Sequence, residues 1–237
     1  MTSGKVRKTK PRAPYRAGVK RRRQIVEAAT VVFGQYGYNG GSLRSIAEMI
    51  ETTPATLLQH FGSKELLLVA VLEHWNAASS QIEGERGLSA FRANIPLMRY
   101  HIEHPGLIQL FLTMSIEATQ PDHPARPFIA ARQQHTRRHM TEELRSAITA
   151  DEIPPMPPEV IDREVSLMIG VLDGVELGWL TDPSIDLYGV VRHHIDEAIA
   201  RWSHRPVEEV RSETDIYLAT RGETLPVDVS VEQASSA

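Results

Sequence analysis

His135 and His139 stand four residues apart in a stretch that reads as helix, with Glu142 and Glu143 close behind. That spacing puts two imidazoles on one face and can chelate a divalent cation, as a metal-dependent hydrolase would require. Arg132, Arg137 and Arg138 crowd the same stretch. Guanidinium groups repel a cation, so a solvated charged face accounts for these residues better. His193 and His194 are adjacent and therefore point to different faces of a helix. The chain has no cysteine, which excludes a thiolate zinc site, a Cys nucleophile, a disulfide framework and an iron–sulfur cluster. It has no Gly-rich phosphate loop and no Gly-x-Ser-x-Gly elbow. The expectation is a protein that is not an enzyme and that uses no metal or cofactor.

A second set of residues suits a polyanion. The net charge of −4 hides an asymmetry: residues 1–75 carry twelve Lys/Arg against five Glu, and the remainder carries 14 against 25 acids. A basic first third joined to an acidic body points to a polyanion partner for the first third alone. Lys5, Arg7, Lys8, Lys10 and Arg12 fall in a Pro- and Gly-containing run too polar to bury itself, read as a disordered basic arm over 1–17. Further along, Ala55, Thr56, Gln59 and His60 share the polar side of a short amphipathic segment, with Arg44 and Lys64 flanking them. Short and polar groups in the middle with cations at the edges fit base contact and phosphate anchoring, respectively.

The elements that must position these groups are helical throughout. Ile25, Ala28, Ala29, Val32, Phe33 and Tyr36 make one apolar stripe, predicting a helix over 18–36 that Gly37 stops. Ser42 is read as the N-cap of a short second helix with Leu43, Ile46, Ala47 and Ile50 inside. Thr53 caps a third, with Pro54 at its first position, Leu57 and Phe61 inside and Gly62 at its end. Two short helices across a tight turn form a helix-turn-helix, whose second helix is the one to enter a major groove. Downstream helices are predicted over 64–82, 88–103, 106–118, 125–149, 158–180 and 184–203, with several proline breaks between them. Residues 204–237 read as a flexible tail with one short helix near 206–219. No span reaches the roughly 18 apolar residues of a membrane helix. No apolar core follows the basic N-terminus, so a secretory signal is not expected. A cytoplasmic setting is expected.

Residues 18–72 resemble the DNA-binding domain of the TetR (tetracycline-repressor) family. The resemblance rests on Ile25-Val26-Glu27-Ala28-Ala29, Val32-Phe33, Gly37-Tyr38, Ser42-Leu43-Arg44-Ser45-Ile46-Ala47-Glu48, Thr53, Ala55-Thr56-Leu57, His60-Phe61 and Ser63-Lys64-Glu65-Leu66-Leu67. Two positions depart from the family pattern: Glu51 stands where the turn usually has Gly, and Leu58 where the third helix usually has a phosphate-contacting Tyr. The resemblance implies an all-α chain divided into a helix-turn-helix head (18–65) and a ligand-binding and dimerisation body (66–203). It implies DNA contact through Ser42, Arg44, Thr53, Ala55, Thr56, Gln59, His60 and Lys64. It also implies a homodimer on double-stranded operator DNA, acting mostly as a repressor that a small-molecule effector releases. A ligand-independent DNA-binding protein is the alternative.

Within the acidic body, Gly170, Gly174 and Gly178 recur every fourth residue, which destabilises a lone helix by about 1 kcal/mol each. Close approach by another helix would explain them, either inside the chain or from a second copy; the family resemblance implies the second copy, with Val190, Ile195, Ile199 and Trp202 as the apolar share of the last long helix. The run from Pro105 to Glu117 is apolar nearly all round and should be central. In the family the corresponding helix lines the effector cavity. Met98, Phe111, Met114, Met168 and Trp179 are therefore candidate walls, with His101 and Glu117 as polar fixing points. A largely apolar effector is the expectation.

Overall fold

A computed structural model of the chain describes residues 13–79 and 84–221, all helices and connecting turns with no strand among them. The basic residues Lys5 to Arg12 and the end of the tail lie outside the described residues. The head consists of α1 (Ala13–Gly40), α2 (Leu43–Met49), α3 (Pro54–Phe61) and the first half of α4 (Lys64–Ser79). The body follows as α5 (Leu88–Arg92), α6 (Asn94–Glu103), α7 (Pro105–Glu117), α8 (Arg126–Thr149), α9 (Pro158–Thr181), α10 (Leu187–Ser203) and α11 (Val207–Arg221). Among the described residues, no single helix is long and apolar enough to cross a membrane.

Two apolar cores hold the chain. The first joins the predicted stripe of α1 to Ile46, Leu57 and Phe61, and to Leu67, Leu68, Val71 and Leu72 of α4; Tyr36, expected in that stripe, is exposed, and Tyr38 beyond the kink is buried in its place. Leu110 and Met114 of α7 and Ile129 of α8 belong to this same core. The head therefore packs on the body through shared side chains. The second core gathers α5, α6 and α8–α11 around Phe91, Met98, Leu144, Val165, Met168, Val191, Ile195, Ile199 and Trp202. Burying side chains of this size contributes about 1.5–3 kcal/mol each.

Three elements differ from the sequence expectation. α1 starts at Ala13 and continues beyond Tyr36 to Gly40, kinked at Gly37 (φ 69°, ψ 177°). The predicted helix over 88–103 is broken at Ala93 into α5 and α6. Pro96 explains the break: it has no N–H to give the carbonyl four residues back, and is tolerated only in the first turn of a new helix. The stretch read as a flexible tail contains α11, which is docked on the body. Its Val210 and Thr214 are fully buried. The Thr214 hydroxyl donates to Asp196 (2.7 Å) and accepts from Arg92 Nε (3.1 Å), so three buried polar groups satisfy one another.

Candidate functional site

The helix-turn-helix is built by local capping. Ser42 Oγ accepts from the Ser45 N–H (3.0 Å), and Thr53 Oγ1 from the Thr56 N–H (3.3 Å), satisfying amides that a helix start leaves unpaired. The turn between α2 and α3 places Glu51 at φ 49°, the left-handed backbone for which glycine is the easy residue. Ile46, Ala47 and Leu57 are buried at the junction of the two helices. That leaves Ala55, Leu58 and Gln59 exposed on the outer face of α3, with Thr56 and His60 half-buried. Arg44 stands in solvent, its Nε on Glu48 Oε1 at 2.8 Å. Lys64 turns back instead, its ammonium 4.4 Å from the centre of the Tyr38 ring.

Two arginines of α1 that the sequence reading passed over fix this face from behind. Arg21 Nη2 donates to the Ile50 carbonyl at the end of α2 (3.3 Å). Arg22 Nη1 donates to the His60 carbonyl at the end of α3 (2.8 Å), with its guanidinium 4.0 Å over the Phe61 ring. Cations at helix C-termini are stabilising, so both pairs oppose fraying of the outer face.

A cavity of about 580 Å³ opens in the body between α6, α7, α8 and α9. Met98, His101 and Phe111 line it as expected, together with Leu97, Ile108, Ile169 and Leu172. Four expected wall residues do not. Met114 is fully buried in the core shared with the head, because its side of α7 faces α1. Met168 and Trp179 sit in the body's main core. Glu117 lies at the head–body junction. The polar groups that do reach the cavity include Arg132, Asp173 and Glu176. Glu176 falls in the stripe Ile161, Val165, Met168, Leu172, Glu176 and Trp179 of α9, all buried. One carboxylate in an otherwise apolar stripe is the signal that could have found it.

His101 Nδ1 lies 2.6 Å from Glu176 Oε1, and both side chains are buried. Burial, and then repulsion from Glu176, push the Asp173 carboxyl up to about 6, against a smaller pull from Arg132. Burial likewise lowers Arg132 to about 10, with Asp173 and Glu176 opposing it. His135 and His139 stack at 6.4 Å at the exposed edge of the same cavity. No group of three or more potential metal ligands occurs among the described residues.

The amino-acid pattern of the family described as bacterial regulatory proteins, tetR family, matches residues 25–71. Residues 25–71 are thus similar to tetR-family regulatory proteins. Over 102 residues it is 29% identical to the HTH-type transcriptional repressor NicS of Pseudomonas putida, covering 40% of this chain and 48% of that one. Over 72 residues it is 40% identical to the HTH-type transcriptional regulator RutR of Escherichia coli, covering 30% and 33%. In these matches the chain spans half or less of its relatives' length. The fold agrees more widely. A TetR-family transcriptional regulator from Cytophaga hutchinsonii superposes with a TM-score of 0.66 at 16% identity, over 80% of this chain and 98% of that one.

The head meets the body at the α1 kink. The Tyr38 N–H donates to Glu117 Oε2 (3.0 Å), and the same oxygen lies 3.3 Å from His123 Nε2. His123 Nδ1 accepts from the Ala125 N–H (3.2 Å), so the imidazole proton sits on Nε2 and faces the carboxylate. The Tyr38 ring packs edge-on against His123 at 5.3 Å, and its hydroxyl donates to Glu65 (2.7 Å). Burial, reinforced by Glu65, holds the Tyr38 hydroxyl well above its ordinary pKa. Glu117 is thus a clamp between α7 and the kink.

The expected dimer face is partly corrected. Ile195, Ile199 and Trp202 are buried in the chain's own core, so no partner can reach them. Gly170 and Gly174 are exposed, and a methyl added at either would meet nothing within 4 Å. Gly178 is half-buried, and a methyl there would lie 3.4 Å from Ile185. Leu167, Leu177 and Val190 are exposed beside the glycines.

Proposed function

We propose that this chain is a transcriptional regulator, acting as a repressor, that binds operator DNA as a homodimer and loses affinity when a small molecule fills the body cavity. The observation that carries the DNA reading is α3: a capped, back-strapped helix whose outer face offers Ala55, Thr56 and Gln59 with no acidic side chain among them. Such a face can lie against a major groove without charge repulsion, and Gln59 has the amide needed to pair with adenine N6 and N7. Ser42, Arg44 and Thr53 sit at its edge as phosphate contacts. His60 and Lys64 are secondary contributors, since one is half-buried and the other rests on Tyr38.

The dimer reading is supported by the stripe Leu167, Gly170, Gly174 and Leu177 on α9, continued by Val190 on α10. Exposed leucines around open glycine steps form a surface on which a second copy can approach closely, and a two-fold protein suits a palindromic site. Coupling is supported by α7. Ile108 and Phe111 face the cavity, Leu110 and Met114 enter the head's core, and Glu117 clamps the kink. A ligand that moves α7 therefore moves the head. A differential affinity of about 1–3 kcal/mol between the two head positions would lower operator affinity 5- to 150-fold.

The test is selection of a duplex from a random library, then titration at fixed salt with wild type and Gln59→Ala. Specific binding should weaken by about 1–3 kcal/mol in the variant. Equal affinity of wild type for the selected and a scrambled duplex would overturn the reading.

A further inference from the structure

The inner end of the body cavity has a definite polar character that the apolar expectation missed. α9 contributes Asp173 and Glu176, α6 contributes His101 and α8 contributes Arg132, while the α7 residues there, Ile108 and Phe111, are apolar. The other charged groups lining the cavity already have partners of their own. Arg137 donates to Ser166 (2.7 Å). Glu143 takes the Gly87 N–H (2.9 Å) and Arg86 (3.0 Å), with His139 at 3.8 Å. His135 is exposed at the edge. Two carboxylates therefore face one guanidinium at the inner end, and that guanidinium already lies 5.5 Å from the centre of the Phe111 ring.

His101 carries the argument further. An ionised carboxylate only accepts hydrogen bonds, so the contact of 2.6 Å to Glu176 puts the imidazole proton on Nδ1. Nε2 is buried and without a hydrogen-bond partner. A buried polar atom with no partner carries a desolvation penalty that a bound ligand can remove. The carboxylates of Asp173 and Glu176 can accept from a ligand's donor, and His101 Nε2 is a third polar atom left for a ligand to satisfy. The local field agrees: the Asp173 carboxyl is pushed up to about 6 by burial and by Glu176 despite Arg132, so negative charge is disfavoured there.

We propose that the cavity takes an amphipathic organic cation, its apolar body against Met98, Ile108, Phe111 and Leu172 and its protonated amine offered to Asp173 and Glu176, beside the unpartnered His101 Nε2. This assignment rests on reading the cavity as the effector site. It excludes fatty carboxylates as preferred ligands, since a carboxylate head would face two carboxylates. Amine binding weakens as pH falls through about 6, where Asp173 takes up its proton.

The experiment uses the full chain without DNA and three probes of equal length: n-decylamine, n-decanol and n-decanoate. Calorimetric titration at pH 7.5 should show the amine binding at least ten-fold tighter than the alcohol, and the carboxylate weakest. Asp173→Asn and Glu176→Gln should each cost the amine about ten-fold and leave the alcohol unchanged, which also shows that the variants remain folded. Decanoate binding as tightly as the amine, an amine affinity indifferent to both substitutions, or no binding by any probe would each overturn the assignment. A parallel operator titration separates the two readings. Amine binding that leaves operator affinity intact upholds the cavity chemistry and refutes the coupling.

Discussion

Replacing Gly37 with Ala tests the junction on which the coupling depends. The backbone there, at φ 69° and ψ 177°, occupies a region used almost only by glycine, and an alanine held in it costs about 1–3 kcal/mol. The added methyl would also stand 2.5 Å from Glu117 Oε1. That oxygen ends a flexible side chain and can shift, which strains the bond of the other oxygen, Oε2, to the Tyr38 N–H, a hydrogen bond to a charged acceptor worth at most about 1.5–3 kcal/mol. These costs overlap, because relaxing the kink also moves Tyr38, so the expected total is about 3–5 kcal/mol. A chain of this size loses roughly 2–4 °C of melting temperature per kcal/mol. The circular-dichroism melt of Gly37→Ala should therefore fall by on the order of 10 °C. Gly40→Ala is the control: its methyl meets only Tyr36 Cβ at 3.4 Å, and little change is expected. A Gly37→Ala protein melting within about 2 °C of wild type would show that the kink and its clamp carry no strain-sensitive contact.

Other outcomes follow from the same structure. Gly174→Leu fills open space on the protomer, so it should leave the melting of a dilute monomer intact while sedimentation shows loss of the dimer; an undisturbed dimer would move the interface elsewhere. Ile195→Ala should do the converse, costing about 2–5 kcal/mol of stability with no direct effect on association, since Ile195 is buried in the chain's own core. Asp173 has a folded pKa of about 6 against an ordinary 3.8, so the folded state holds its proton more tightly between these values. Stability should accordingly fall as pH rises from about 4 to 6 and be flat above. Asp173→Asn should remove that slope and be the more stable protein at pH 7.5 in urea titrations, and an unchanged slope would refute the assignment.

The head was readable because its constraints are local. Ser42, Thr53, Pro54 and Gly62 act within one turn of their own positions, and the apolar stripes of α1 and α3 repeat at the helical period. The observed caps and buried faces match those positions except at Tyr36, which is exposed because the stripe ends at the kink. The body was readable as helices and not as surfaces. Met114 and Phe111 are both large and apolar on one helix, and only the position of α1 decides that the first fills the head core while the second lines the cavity. Ile195 and Ile199 have the same ambiguity, because a stripe facing a partner and a stripe facing the chain's own core have the same period. α11 was underestimated for a related reason. Its mean hydropathy is low, and its anchoring comes from Val210 and a buried polar relay through Thr214, which periodicity does not register.

The arrangement of α7 makes the cavity and the head hard to separate physically. Its apolar residues divide between two packed environments, and close-packed interiors transmit small displacements instead of absorbing them. A ligand seated against Phe111 and Ile108 acts on the same rigid element that carries Leu110 and Met114 into the head's core and Glu117 to the Tyr38 amide. The clamp ends on Tyr38, next to the kink at Gly37. On this reasoning, Glu117→Gln, which keeps an acceptor but loses the charge, should weaken the coupling between ligand and operator by about three-fold, or about 0.7 kcal/mol, while leaving each affinity measured alone near wild type. The check is a double titration of operator binding with and without ligand. Unchanged coupling in Glu117→Gln and in Glu117→Ala would mean that the signal leaves the cavity by a route other than the kink.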